Sequence, residues 1–310
     1  MPLVASAPPP LRIGVALGGG SARGYAHIGV LAALERRGLR PDVLVGTSFG
    51  AVVAALYAQG RTPAELRAEA ERLRRRDVLP HIVDVGVSQG ALFSGRRLEA
   101  YFRTLVGDAG IEELPRTLAV VATDVDSGER VVLRRGPLAR ALRASASLPG
   151  LFAPVAWEGR RLIDGGIGTP VPLDSLDGFG VDVAIGVGAG VEARDSRWVR
   201  WARQASRSAA GRRLRRALRP WDGAATGSAR GGASCGPGAA LARALGLALA
   251  AWSEAADALP DGEGEVLHVQ TRPPIHWLRF DRAAAAIAAG DAAMERAWPG
   301  LGRLLAPIAG

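Results

Sequence analysis

The sequence predicts an α/β fold of three layers, with a mainly parallel central sheet between helices. Two observations carry that prediction. Twice near the N-terminus an apolar run of strand length passes through a glycine turn into apolar residues at helical spacing. Further strand-length apolar runs follow at intervals, at 117–122, 130–133, 181–187 and 265–269. A strand–turn–helix unit returns the chain to the same end of the sheet, so successive strands lie parallel and the helices cover their faces.

The first unit begins at residues 11–17, an apolar strand, and continues into Gly18-Gly19-Gly20-Ser21-Ala22-Arg23-Gly24. Tyr25, Ile28, Leu31 and Leu34 then form one helical face that ends near Arg36-Arg37-Gly38. A glycine loop at a helix N-terminus gathers backbone N–H groups around negative charge, either a phosphate or an oxyanion formed in acyl transfer. The dinucleotide version fits poorly. After Gly18-x-Gly20 the third glycine falls at Gly24, position 23 is Arg23, and no acidic residue ends a second strand where a ribose would need it.

The second unit is 42–45, then Gly46-Thr47-Ser48-Phe49-Gly50, then a helical apolar stretch at 51–57. In a strand-to-helix turn, G-x-S-x-G holds its serine in strained backbone with the hydroxyl exposed. A third element, Asp164-Gly165-Gly166, ends an apolar approach in a carboxylate beside a glycine turn. A serine nucleophile needs a general base, and its oxyanion needs preorganised donors; the three elements together supply both.

These residues closely resemble the patatin-like phospholipases of bacteria. The resemblance rests on Gly18-Gly19-Gly20-Ser21-Ala22-Arg23-Gly24 with the following Tyr25-Ala26-His27-Ile28-Gly29-Val30-Leu31, on Val45 to Ala51, and on Asp164-Gly165-Gly166. Residues 122–129 and 143–150 add two more signatures in the expected order, so the likeness runs from about Ile13 to Val183. It implies that Ser48 is the nucleophile and Asp164 the base of a Ser–Asp dyad. It also implies oxyanion donors at Gly19, Gly20 and Ser21, with Gly18, Arg23, Gly24, Gly46, Gly50, Gly165 and Gly166 as motif residues. Two positions depart from the family pattern. Ser21 stands where relatives often have glycine, and would be strained at positive φ. Thr169 stands where they commonly have asparagine; the chain contains neither asparagine nor lysine, so this reads as compositional drift.

At 310 residues the chain can bury a large core. Residues 1–10 read as a disordered tail rather than a secretory leader, 11–182 as the catalytic domain, and 183–310 as an α-rich extension with a flexible Arg/Gly/Ala-rich segment at 194–238. Residues 61–114 read as a helical, charged region of lid or access structure broken near Pro80 and Gly90, 239–251 as a core or interface helix too short to span a bilayer, and 281–305 as one or two closing helices. One cysteine, Cys235, excludes an intrachain disulfide and suits a reducing, cytoplasmic compartment. No histidine pair has metal-ligand spacing, so neither a metal nor another cofactor is expected.

The formal net charge of +9 is carried by 39 basic residues, all arginine, and favours contact with anionic surfaces. Two clusters, Arg72 with Arg74, Arg75 and Arg76, and Arg212 with Arg213, Arg215, Arg216 and Arg219, are candidates for peripheral contact with an anionic membrane. No nucleic-acid motif accompanies them. The order Ser48, Asp164, His268 also matches a hydrolase triad, although only one strand–helix unit precedes the elbow and His268 lies in a strand-like run. The expected function is therefore hydrolysis of carboxylic esters in phospholipids or lysophospholipids by Ser48 and Asp164. A general carboxylesterase, or a lipid-binding or regulatory protein on the same fold, remains as an alternative.

Overall fold

The computed structural model describes residues 11–73, 80, 84–88, 91–149, 151–190 and 266–306. The N-terminal tail, Arg74–Arg76, the segment 194–238 with its second arginine cluster, and the apolar stretch 239–251 lie outside them.

The chain folds as a three-layer α/β/α structure around a mainly parallel sheet. Strands β1 (Ile13–Leu17), β2 (Val43–Thr47), β5 (Thr117–Asp124), β9 (Val183–Ala189) and β10 (Val266–Thr271) form its parallel part, in the order β10-β9-β1-β2-β5. Three antiparallel strands complete it: β6 (Arg130–Leu133), β7 (Val155–Trp157) and β8 (Arg160–Asp164). The sequence division at 182/183 falls inside this sheet. Val183 to Ala189 pairs with β1 and carries β10 beyond it, so the residues that follow the division complete the sheet as strands.

The central strands are buried on both faces, which is why they read as continuous apolar runs without alternation. One face meets the helices α1 (Ala26–Arg36), α2 (Phe49–Ala58) and α5 (Leu138–Ser145), with α4 (Arg96–Val106) and α6 (Ala283–Leu305) packed around them. The other face, through Ala16, Val43, Val45, Ala119 and Val121, meets Leu176, Val171, Leu173 and Phe179 of segment 171–181. Helix α6 crosses α1 at two glycines. A Cβ on Gly29 or Gly290 would run into the backbone of the facing helix, so only glycine permits this approach. The ion pair from Arg36 to Asp291 flanks the crossing on the exposed side.

Residues 61–114 are helical at both ends, and where the sequence breaks the helical pattern near Gly90 the chain forms strands. Helix α3 (Pro63–Arg72) begins with a reciprocal cap, in which Thr62 Oγ1 accepts from Glu65 N (3.3 Å) and Glu65 Oε2 accepts from Thr62 N (2.8 Å). After it comes an antiparallel pair, β3 (Val85–Ser88) and β4 (Ala91–Phe93), before α4. The short pair has too few residues for period-2 alternation to stand out beside two amphipathic helices.

The edges of β5 place the two halves of the site. Val120 and Val121 face β2 on one edge and β6 on the other; Ala122 and Thr123 face both β6 and β8. Strand β8 therefore occupies the same edge as β2, just beyond its end. Strand β2 stops with Thr47 opposite Val121, and β8 arrives from the opposite direction with Asp164 opposite Ala122. Asp164 takes the place that Ser48 would hold had β2 run on. The two strands meet end to end.

Candidate active site

Ser48 sits between β2 and α2 with φ 53 and ψ −125, a conformation that costs a non-glycine residue about 1–3 kcal/mol. What over-determines it is close packing on both sides. A Cβ on Gly50 would penetrate the carbonyls of Leu17 and Gly18, and one on Gly46 would penetrate the backbone of Ala51. The elbow is wedged against the end of β1, and the strain falls on Ser48 alone.

Ser48 Oγ donates to Asp164 Oδ2 at 2.8 Å, and Asp164 Oδ1 accepts from Gly166 N at 2.8 Å. Asp164 is fully buried, and that desolvation pushes its carboxyl up to about 7, against the smaller opposing effects of the Gly166 N–H and the Ser48 hydroxyl. A carboxylate at its ordinary value near 4 is a weak base at neutral pH. Burial removes that handicap. Thr169 closes the adjoining turn through its backbone, donating to Gly165 O (2.8 Å) and accepting from Thr47 Oγ1 (3.3 Å), groups that any residue offers.

The glycine loop lies against the elbow. A Cβ on Gly19 would stand 3.5 Å from Ser48 Cβ, and one on Gly24 would meet the ring of Phe49 at 2.6 Å. Three bonds pin the loop from below: Gly18 N donates to Val187 O (2.9 Å), Gly19 N to Pro170 O (3.0 Å), and His27 Nε2 to Gly18 O (2.8 Å). Among the described residues nothing accepts from the N–H of Gly20 or Ser21, nor from Phe49 N at the first position of α2. His27 is buried, which holds its imidazole down to about 4 and hence neutral. Arg23 Nε donates to Ile275 O (3.2 Å), and Ala22 N donates to Trp277 O (3.0 Å). Segment 275–280 thus straps the loop from the C-terminal part of the chain, and Phe280 closes an aromatic cluster with Tyr25 and Phe49.

Ser21 has φ 50, the left-handed backbone that the sequence marks as strained for serine. Replacing it by glycine should raise stability by up to about 1 kcal/mol, the left-handed penalty less the extra freedom of glycine in the unfolded chain. Urea unfolding at constant m-value measures this; an unchanged midpoint would mean that the position carries no strain.

Of the residues selected from sequence, Ser48, Asp164, Gly18, Gly19, Gly20, Ser21, Gly24, Gly46, Gly50, Gly165 and Gly166 gather at one end of the sheet. His268 does not join them. It lies in β10 opposite Gly186, three strand spacings from β2, roughly 14 Å away. Among the described residues no three His, Cys, Asp or Glu side chains converge as a metal site would require. Sequence motifs assign no role to three residues that hold the site: Ser145, Ser147 and Arg143. Ser145 Oγ accepts from Ser48 N (2.8 Å), Ser147 O accepts from Asp164 N (2.9 Å), and buried Arg143 donates to Gly95 O and Ser94 O (both 2.9 Å), to Ala153 O (2.8 Å) and to Ser147 Oγ. The 143–150 signature marks the segment without giving these residues a role, and an arginine set among the apolar residues of a short helix is the further signal there.

A strand–serine–helix elbow facing a buried carboxylate is an arrangement suited to nucleophilic acyl transfer. The chain belongs to the patatin-like phospholipase family, whose model matches residues 15–177. An uncharacterized NTE family protein of Mycobacterium tuberculosis is 41% identical over 176 residues, covering 57% of this chain and 48% of that protein. Lysophospholipase nte1 of Aspergillus fumigatus is 32% identical over 180 residues, 57% of this chain and 12% of that protein. The chain thus spans about half the length of the mycobacterial relative and far less of the fungal one. The solved structure of VipD from Legionella pneumophila overlaps 95% of this chain and 68% of its own at TM-score 0.44 and 16% identity.

Proposed function

We propose that the protein hydrolyses carboxylic esters of phospholipids or lysophospholipids through Ser48 and Asp164. The observation that carries this reading is the 2.8 Å bond from Ser48 Oγ to a buried carboxyl whose pKa is pushed up to about 7. A base at that value combines a large deprotonated fraction at neutral pH with real proton affinity. Asp164 takes the proton as Ser48 Oγ attacks the ester carbonyl, and the carbonyl oxygen becomes an oxyanion. The Gly19 N–H is engaged by Pro170 O, so Gly20 and Ser21 supply the loop's donors, with Phe49 N beside the nucleophile. Collapse expels the alcohol, which leaves with the proton from Asp164, and an acyl-Ser48 remains. Water attacks that ester, Asp164 again accepts the proton, and the fatty acid is released as Ser48 regains its hydrogen.

The lipid preference rests on family membership and on the lysophospholipase named among the relatives. Among the described residues no helix is long and apolar enough to cross a membrane. The arginine-rich composition favours contact with an anionic surface. The test is a screen of the purified protein on phospholipid and lysophospholipid vesicles and on soluble short-chain esters. Fatty-acid release from lipid, weakening as salt screens anionic vesicles, is the expected result. Faster turnover of short soluble esters than of any lipid would make the protein a carboxylesterase. Lipid binding with no hydrolysis and no fluorophosphonate labelling would make it a binding protein on a hydrolase scaffold.

A further inference from the structure

Strands β2 and β8 meet end to end on one edge of β5, and no ladder joins them to each other. Both strands take their register from β5, with Thr47 opposite Val121 and Asp164 opposite Ala122, while Ser48 lies one residue past the β2 ladder and needs a hold of its own. The last turn of α5 and the residues after it span that junction. Ser145, fully buried, accepts the Ser48 N–H on its Oγ (2.8 Å) and donates its own proton to Val121 O (2.6 Å), in the β5 residue opposite the end of β2. Two residues on, Ser147 O accepts Asp164 N–H at 2.9 Å. Arg143 locks this turn from behind, through Ser147 Oγ and the carbonyls of Ser94, Gly95 and Ala153. One short segment grips the backbone of both dyad residues.

The geometry points to Ser145 as a positioning residue for the nucleophile, an inference that rests on the hydrolase reading above. Ser48 is held at positive φ, where its backbone would relax if free. Rotation of the 47–48 peptide swings Cβ, and with it Oγ, away from Asp164. The Ser145 hydroxyl opposes that rotation because it holds the N–H from one side and β5 from the other. It touches no reacting atom. It also occupies the nucleophile's own N–H, which leaves the oxyanion to the glycine loop and Phe49.

Ser145→Ala should lower kcat by about 10–100-fold while KM stays within about twofold, since a sub-ångström loss of alignment acts on the reacting geometry rather than on binding. The fluorophosphonate labelling rate of Ser48 should fall in parallel. The pH profile should keep its midpoint, because Ser145 has no contact with the Asp164 carboxyl. Ser145→Cys keeps the shape with a much weaker acceptor and should remain impaired. Thermal melts accompany both variants so that rates refer to folded protein. Variants that melt lower yet label and turn over at the parental rate per folded molecule would reduce Ser145 to a packing residue and overturn the inference. So would full recovery with cysteine. A parental protein that neither labels nor hydrolyses any ester would instead overturn the hydrolase reading, and this inference with it.

Discussion

Ser48→Ala should abolish ester hydrolysis and fluorophosphonate labelling, a loss of at least about three orders of magnitude in kcat. The fold should survive. Alanine at φ 53 carries the same backbone strain as serine, the Ser145 bond to the backbone N–H remains, and only the hydroxyl bonded to Asp164 is lost. Stability should therefore change by no more than about 1 kcal/mol, the net value of one hydrogen bond. The variant also removes one of the two groups that hold the Asp164 carboxyl down, so that carboxyl should rise further. Mass spectrometry after labelling gives the decisive readout. Adduct on any other residue, or undiminished turnover, would end the assignment of Ser48.

Asp164→Asn should lower kcat/KM by about two to four orders of magnitude, the range expected when a general base is removed. In the parent, kcat/KM should rise with pH through about 7 and then level off, as Asp164 loses its proton. The same group sets an unusual pH dependence of stability. Its carboxyl titrates near 7 in the folded chain and near 4 in the unfolded one, so between those values the native state holds the extra proton. The stabilisation is fully present below about pH 4 and is lost as pH rises through about 7. The gap between the two values corresponds to about 4 kcal/mol. Asp164→Asn removes that cost, so the inactive variant should be more stable than its parent at pH 8 and no more stable at pH 4. Denaturant midpoints at the two pH values test this, and a variant less stable at both would show that the carboxylate is not strained by burial. His268→Gln, three strands away, should leave kcat/KM within a few-fold of the parent; damage equal to that of the aspartate change would revive the triad.

How much of the molecule is legible in the sequence depends on the range of the interaction concerned. The elbow can be read from five consecutive residues because its constraint is local. Gly46 and Gly50 are required wherever a strand reverses into a helix over a serine, and the contacts they avoid lie within a few residues or at the end of the adjacent strand. The glycine loop and the asparagine-free turn at Asp164 are legible for the same reason. The 85–93 pair escapes because a very short strand pair leaves no period to detect. The division at 182 follows the end of the family likeness near Val183, which says nothing about hydrogen-bond partners, and β9 finds its partner in β1 about 170 residues earlier.

Local sequence was enough to mark the candidate side chains, since serine, carboxylate and glycine loop are each specified by backbone sterics over a handful of residues. That they come together in space follows from the fold. Antiparallel entry of β8 on the edge that β2 leaves sets Asp164 against Ser48, and full burial there lifts the carboxyl to about 7. The turn at Ser145 and Ser147 grips the backbone at both strand ends. Strand order, desolvation and end-to-end alignment are sums over residues far apart in the chain, and no local pattern encodes them.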